Sequence, residues 1–131
     1  MKRVTGIGGV FFKAANTKET AQWYDKHLGL SFNGNTYMSF KWRNHEQPDE
    51  EGSTVFSVFP SDTKYFAPSS SPFMFNLRVE NLDELLEVLK SEGVEITGGP
   101  ELYPYGKFAW ILDNNGNKVE LWEPIESGFD E

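Results

Sequence analysis

The chain contains no cysteine, and that absence removes disulfides, thiolate zinc sites and cysteine nucleophiles together. Basic residues are also short, 12 Lys and Arg against 20 Asp and Glu for a formal charge of −8. A phosphate backbone is engaged largely by clustered Lys and Arg, so nucleic acid is an unfavourable partner. No apolar run approaches the roughly 18 residues that span a bilayer. The opening Met1-Lys2-Arg3 followed by Val4 to Phe12 imitates a signal peptide. However, Thr5, Gly6, Gly8 and Gly9 dilute the run, Lys13 ends it and no small-x-small cleavage site follows, so it reads as a first strand. The expectation is a cytoplasmic protein with neither a nucleic-acid nor a membrane partner. Gly6-x-Gly8-Gly9 precedes a strand instead of following one and is not a phosphate loop. Residues 46–51 are acidic but too irregularly spaced for a calcium loop.

What the chain does have is apolar and aromatic mass: 38% hydrophobic and 15% aromatic residues in 131, enough to bury a sizeable core in one compact domain or two small modules sharing one. Val10-Phe11-Phe12 is β-like. Asn16-Thr17-Lys18-Glu19 then supplies a helix cap with Glu three residues on, and Gly29 supplies the stop. Leu30-Ser31-Phe32 reads as a short strand before the turn Asn33-Gly34-Asn35, residues 37–43 as another strand, 44–53 as an exposed loop and 54–59 as a further strand. The plan then repeats. Residues 73–79 are a strand, and Asn81-Leu82-Asp83-Glu84 restates the cap at an offset of about 65 residues, the kind of fixed period that marks a duplication. Leu82, Leu85, Leu86 and Leu89 share one helix face and Gly93 ends it. Val94-Glu95-Ile96 matches Leu30-Ser31-Phe32, a turn follows at Gly98-Gly99-Pro100, and strands run through 107–112 and 118–122. Gly52 matches Gly116, and Pro60 matches Pro124.

The pattern predicts an α+β fold of tandem βαβββ modules: residues 1–66, a Pro- and Ser-containing linker at 67–72, and residues 73–131. Each sheet has one face under a helix, so the opposite faces meet around a shared cleft. In the closing strand Val119 and Leu121 take the core side, which leaves Glu120 and Trp122 on the other. If that other side is the cleft, Glu120 is a carboxylate inside it, a candidate acid, base or hydrogen-bond acceptor. Trp110 in the neighbouring strand is a companion for Trp122, and Asn76 and Arg43 are candidate polar contacts. Lys13 and Arg78, also 65 apart, are the available counter-charges, with exposed strand-end charges as the alternative.

Trp23-Tyr24-Asp25-Lys26-His27-Leu28-Gly29-Leu30 and Asp113-Asn114-Asn115-Gly116-Asn117-Lys118-Val119-Glu120-Leu121, in the two halves of a duplicated chain, resemble the signatures of the vicinal oxygen chelate superfamily. That family includes glyoxalase I, extradiol dioxygenases and bleomycin-resistance proteins. The resemblance implies a cleft where His, Gln or Glu from the first and last strands of each module hold a divalent metal. Carried over by counting, those positions fall on Gly9, Ser57 (or Phe56), Met74 and Glu120. Only Glu120 is a usual ligand for a hard divalent ion, and stable catalytic sites generally need about three protein ligands. No cofactor is therefore expected, beyond a weak or divergent metal at Glu120. His27 at a helix end and His45 in the acidic loop do not obviously fill the gap. The leading expectation is a protein that binds a small organic molecule in the inter-module cleft, as a binding protein or as an enzyme, with Glu120 as the catalytic candidate and Lys13, Arg78, Asn76, Trp110, Trp122 and Arg43 as substrate contacts. The rivals are a metal-dependent lyase or dioxygenase that recruits His45 or a ligand from another subunit, and a non-catalytic scaffold. The resemblance also implies a homodimer.

Overall fold

Asn16 and Asn81 start the two helices by the same device. Each sits in extended backbone, and its side-chain oxygen accepts from the backbone N–H three residues on, Glu19 and Glu84 respectively, which satisfies a donor the first helical turn leaves free. In the computed structural model, which describes residues 2–125, the order is β1 (Val4–Ala14), α1 (Thr17–Leu28), β2 (Tyr37–Arg43), β3 (Glu51–Pro60), β4 (Phe73–Val79), α2 (Leu82–Ser91), β5 (Ile96–Tyr103), β6 (Gly106–Leu112) and β7 (Lys118–Pro124). Residues 126–131, the end of the second half as read from sequence, lie outside the described residues. No helix among the described residues is long and apolar enough to cross a membrane.

The strands form one seven-stranded sheet in the order β2-β3-β1-β4-β7-β6-β5. Its two halves meet where β1 runs antiparallel to β4, and within the halves β1 pairs with β3, and β4 with β7, in parallel. Both helices cover the same side. Phe12 packs with Ala21 and Tyr24 of α1. It pairs across the seam with Phe73, and strand alternation carries that side from Phe73 to Leu77, which packs on the α2 cluster. There Leu82, Leu85 and Leu86 are buried against Val79, Ala109, Val119 and Leu121, each leucine contributing about 1.5–3 kcal/mol of burial. The opposite side carries a third cluster, Phe11, Phe66, Met74, Phe108, Trp110 and Trp122.

The fold departs from the sequence reading at three places. Leu30-Ser31-Phe32 is not a strand: the Asp25 carboxylate accepts from the Phe32 and Asn33 N–H groups at 2.8 and 3.0 Å, taking donors a ladder would need and folding Phe32 under α1. The first half therefore contributes three strands and the second four. Gly98-Gly99-Pro100 lies inside β5, at a shift in its register with β6, instead of ending a strand. Gly52 is buried in β3, where the Trp42 ring lies over it, and it has no structural likeness to Gly116, which turns at φ 80. β1 begins at Val4 and runs through its glycines, as read from sequence. Gly8 is an extra residue in β1, between the pairs Ile7–Leu77 and Gly9–Asn76.

Candidate functional site

The helix-free side of the sheet holds a cavity of about 660 Å³, within the usual range for small-molecule sites. Five strands line it by alternation: Phe11 from β1, Val55, Ser57 and Phe59 from β3, Asn76 from β4, Phe108 and Trp110 from β6, and Lys118, Glu120 and Trp122 from β7. The β5–β6 hairpin adds Thr97, Gly98, Glu101, Tyr103 and Tyr105, and Tyr37 enters from β2. The bulge in β1 matters here. Gly8 reaches the wall, and a Cβ on it would stand 2.1 Å from Asn76 Oδ1 and 2.9 Å from the Trp122 ring. Glycine is what lets Asn76 and Trp122 occupy their places.

Glu120 is 2% exposed and accepts three hydrogen bonds. Asn76 Nδ2 donates to Oε1 at 2.6 Å, Trp110 Nε1 donates to Oε2 at 2.8 Å, and the Tyr65 hydroxyl donates to the same Oε2. Asn76 and Trp110 reach it because their Cα atoms pair directly with that of Glu120 across β4 and β6. Tyr65 arrives from elsewhere, the segment joining the two halves. Phe66, fully buried, pins that segment to the aromatic cluster. Lys118 Nζ donates to the Tyr65 carbonyl at 2.7 Å, Ser71 Oγ to Asn117 Oδ1 at 2.5 Å, and Lys13 N–H to the Pro72 carbonyl at 2.8 Å. Tyr65 as a residue keeps 39% of its surface, yet its ring stacks on Phe59 at 5.7 Å and meets Trp110 edge-on at 6.3 Å. Burial of the phenol end, then the charge of Glu120 and the bond to it, pushes the Tyr65 hydroxyl far above the ordinary tyrosine range. Burial draws Lys118 below the ordinary lysine value, against the opposing pull of Glu120 and Glu101.

The residues singled out from sequence divide. Glu120, Asn76, Trp110 and Trp122 line the cavity together. Arg78 does not. Its guanidinium lies between Trp42 and Trp122, 5.0 and 5.1 Å from the ring centroids, and its Nη1 donates to the Ser53 carbonyl at 3.1 Å. Lys13 sits with Nζ 5.5 Å from the Phe66 ring centroid and is not on the wall. Arg43 is exposed at the far end of β2 from Tyr37, where it donates to the Pro48 carbonyl at 3.1 Å. His45 is exposed in the turn beyond that same end, and His27 is exposed on α1 against Trp23. Neither lines the cavity. Met74, reached by counting, is buried in the aromatic cluster. The β4 residue beside Glu120 is Asn76, two positions on. Sequence reasoning passed over Tyr65 and Lys118. Lys118 was within reach, two residues before Glu120 on the same strand face. Tyr65 left no signal beyond an aromatic pair in a connecting segment.

A divalent ion at this carboxylate would need about three protein ligands. Among the described residues no group of three or more His, Asp or Glu side chains comes together, and both Glu120 oxygens already accept from N–H or O–H donors. The donor set does not fit such an ion. It fits a carboxylate held in one orientation: a carboxylate has about four acceptor positions, and three of them are filled here, two on Oε2 and one on Oε1.

A match to the family model described as Glyoxalase/Bleomycin resistance protein/Dioxygenase superfamily covers residues 7–121. Among solved structures the fold is shared with methylmalonyl-CoA epimerase from Streptomyces coelicolor, at 13% identity and TM-score 0.67 over 93% of this chain and 99% of that one. It is shared with methylmalonyl-CoA epimerase from Mycobacterium tuberculosis, at 18% identity and TM-score 0.58 over 98% and 93%. The Mn(II)-bound glyoxalase from Novosphingobium aromaticivorans matches at 15% identity and TM-score 0.61, over 94% of this chain and 40% of that one. Comparison with curated proteins finds no match. With a family match running from Ile7 in β1 to Leu121 in β7, the chain belongs to the Glyoxalase/Bleomycin resistance protein/Dioxygenase superfamily.

Proposed function

We propose that the chain binds a small, flat organic molecule in the cavity beside Glu120, with Glu120 as its hydrogen-bond acceptor and no divalent metal at that carboxylate. The observation that carries this reading is the placing of a 2% exposed carboxylate, oriented by three donors, on the wall of a 660 Å³ cavity lined largely by aromatic rings. Burying a charge is costly unless it is fully hydrogen-bonded, and the three donors meet that cost while leaving one lone-pair position for a guest. The two epimerases and the glyoxalase share the fold, and one of the epimerases is solved in complex with 2-nitronate-propionyl-CoA, which supports a ligand site in this fold.

Two measurements test the reading. In a thermal-shift screen of planar organic compounds, one or more should raise the melting temperature, since a ligand at about a hundredfold excess over its Kd adds about 2.7 kcal/mol to the native state. Val55→Trp, which fills the cavity from β3, should abolish the rise; no rise across a broad screen would overturn the reading. Elemental analysis after dialysis should find no stoichiometric divalent ion, and a retained ion lost in Glu120→Gln would overturn the metal-free assignment.

A further inference from the structure

We propose that the ligand is a planar organic cation, an aromatic ring system carrying a nitrogen-centred positive charge. This deepens the reading of the cavity as a small-molecule site and rests on it. Of the groups on the wall that carry a formal charge, two are carboxylates, Glu101 and Glu120, and one is an ammonium, Lys118. Lys13 and Arg78 lie off the wall, so an anion entering the cavity would meet one cation and two like charges. Tyr37, Phe59, Tyr65, Tyr103, Tyr105 and Trp110 supply ring surface, and the face of an aromatic ring is the negative pole of its quadrupole.

The protein already uses these rings to seat a positive charge. Lys118 Nζ lies 5.2 Å from the Tyr65 centroid and 5.6 Å from that of Trp110, inside the distance at which a cation is attracted to a ring face. At the rim Glu101 is held by the Tyr103 hydroxyl at 2.6 Å, and Tyr103 stacks on Tyr105 at 5.8 Å, so an anion and two parallel rings stand together there. A flat cation uses both the carboxylates and the ring faces; a neutral ring uses only the aromatic surface.

Isothermal titration with three probes of one shape, each with an amino donor for Glu120, decides the matter: 4-amino-1-methylquinolinium, the neutral 4-amino-1-methyl-2-quinolone and the anion 4-amino-1-naphthoate. The cation should bind at least about tenfold more tightly than either of the others. Glu101→Gln, an exposed substitution that leaves the core untouched, should weaken the cation by about threefold and leave the quinolone unchanged. Glu120→Gln should weaken the cation further. Quinolone or naphthoate binding as tightly as the cation would overturn the proposal and leave the cavity reading standing. No binding by any of the three would also overturn it, and the broad screen above then decides whether the cavity reading falls as well.

Discussion

Tyr65 and Glu120 are 55 residues apart in the chain and meet hydroxyl to carboxylate at the cavity wall. Tyr65→Phe removes that donor and keeps the stacking on Phe59. Because the acceptor is a buried carboxylate, the loss should cost about 2 kcal/mol of unfolding free energy by chemical denaturation. A cost near zero would mean that Trp110 and Asn76 suffice to hold Glu120.

The same pair sets a dependence on alkaline pH. The Tyr65 hydroxyl is raised above the ordinary value of 10.0, so above that pH the unfolded chain loses a proton that the folded chain keeps. The contribution is whole below about pH 10 and is lost as pH rises beyond it. Lys118 has the opposite sign: its lowered value lets stability rise with pH up to its ordinary 10.5. Comparison with Tyr65→Phe isolates the tyrosine. Between about pH 9 and pH 11 wild type should lose stability more steeply than the variant, and parallel profiles would contradict the assignment.

Gly8→Ala places a methyl group 2.1 Å from Asn76 Oδ1 and 2.9 Å from the Trp122 ring. Both neighbours are buried, so neither can swing into solvent. The expected loss is about 1–3 kcal/mol, together with weaker binding of any cavity ligand, because Asn76 would be pushed off Glu120. An alanine variant with unchanged stability and unchanged binding would show that the bulge has room to yield.

Arg78→Met tests whether the buried guanidinium serves structure or ligand. It lies between two tryptophans with Nη1 on the Ser53 carbonyl, so the variant should lose roughly 1–3 kcal/mol of stability. Ligand affinity of the folded protein should stay within about twofold. A large affinity loss at constant stability would restore the role that its sequence position suggested.

Much of the fold was legible because its signals are local. Asn16 and Asn81 announce helix starts by side-chain geometry alone, Gly29 ends α1 with φ 68, and the alternation Val119-Glu120-Leu121-Trp122 separates core from cavity without reference to any other strand. The misreadings involve partners that no local pattern displays, or an added residue. Leu30-Ser31-Phe32 looks extended until the Asp25 carboxylate claims its N–H groups. Counting along β4 led to Met74, whereas cross-strand register puts Asn76 beside Glu120, and register is fixed by pairing that no single strand displays. Arg78 and Lys13 share the right strand face but meet rings before they meet the cavity. Tyr65 is the plainest case, since nothing near it in sequence says that its hydroxyl ends on β7.

The seam between β1 and β4 divides the cavity wall as well as the sheet. Gly8, Phe11, Tyr37, Val55, Ser57 and Phe59, from the first half, bring no formal charge to it, while Glu101, Lys118 and Glu120 all come from the second. The two halves of the sheet thus meet the cavity unequally, a wall without formal charge facing an ionic one. On the proposed reading, a guest with unlike ends enters in one orientation, and a symmetrical guest forfeits half of what the cavity offers.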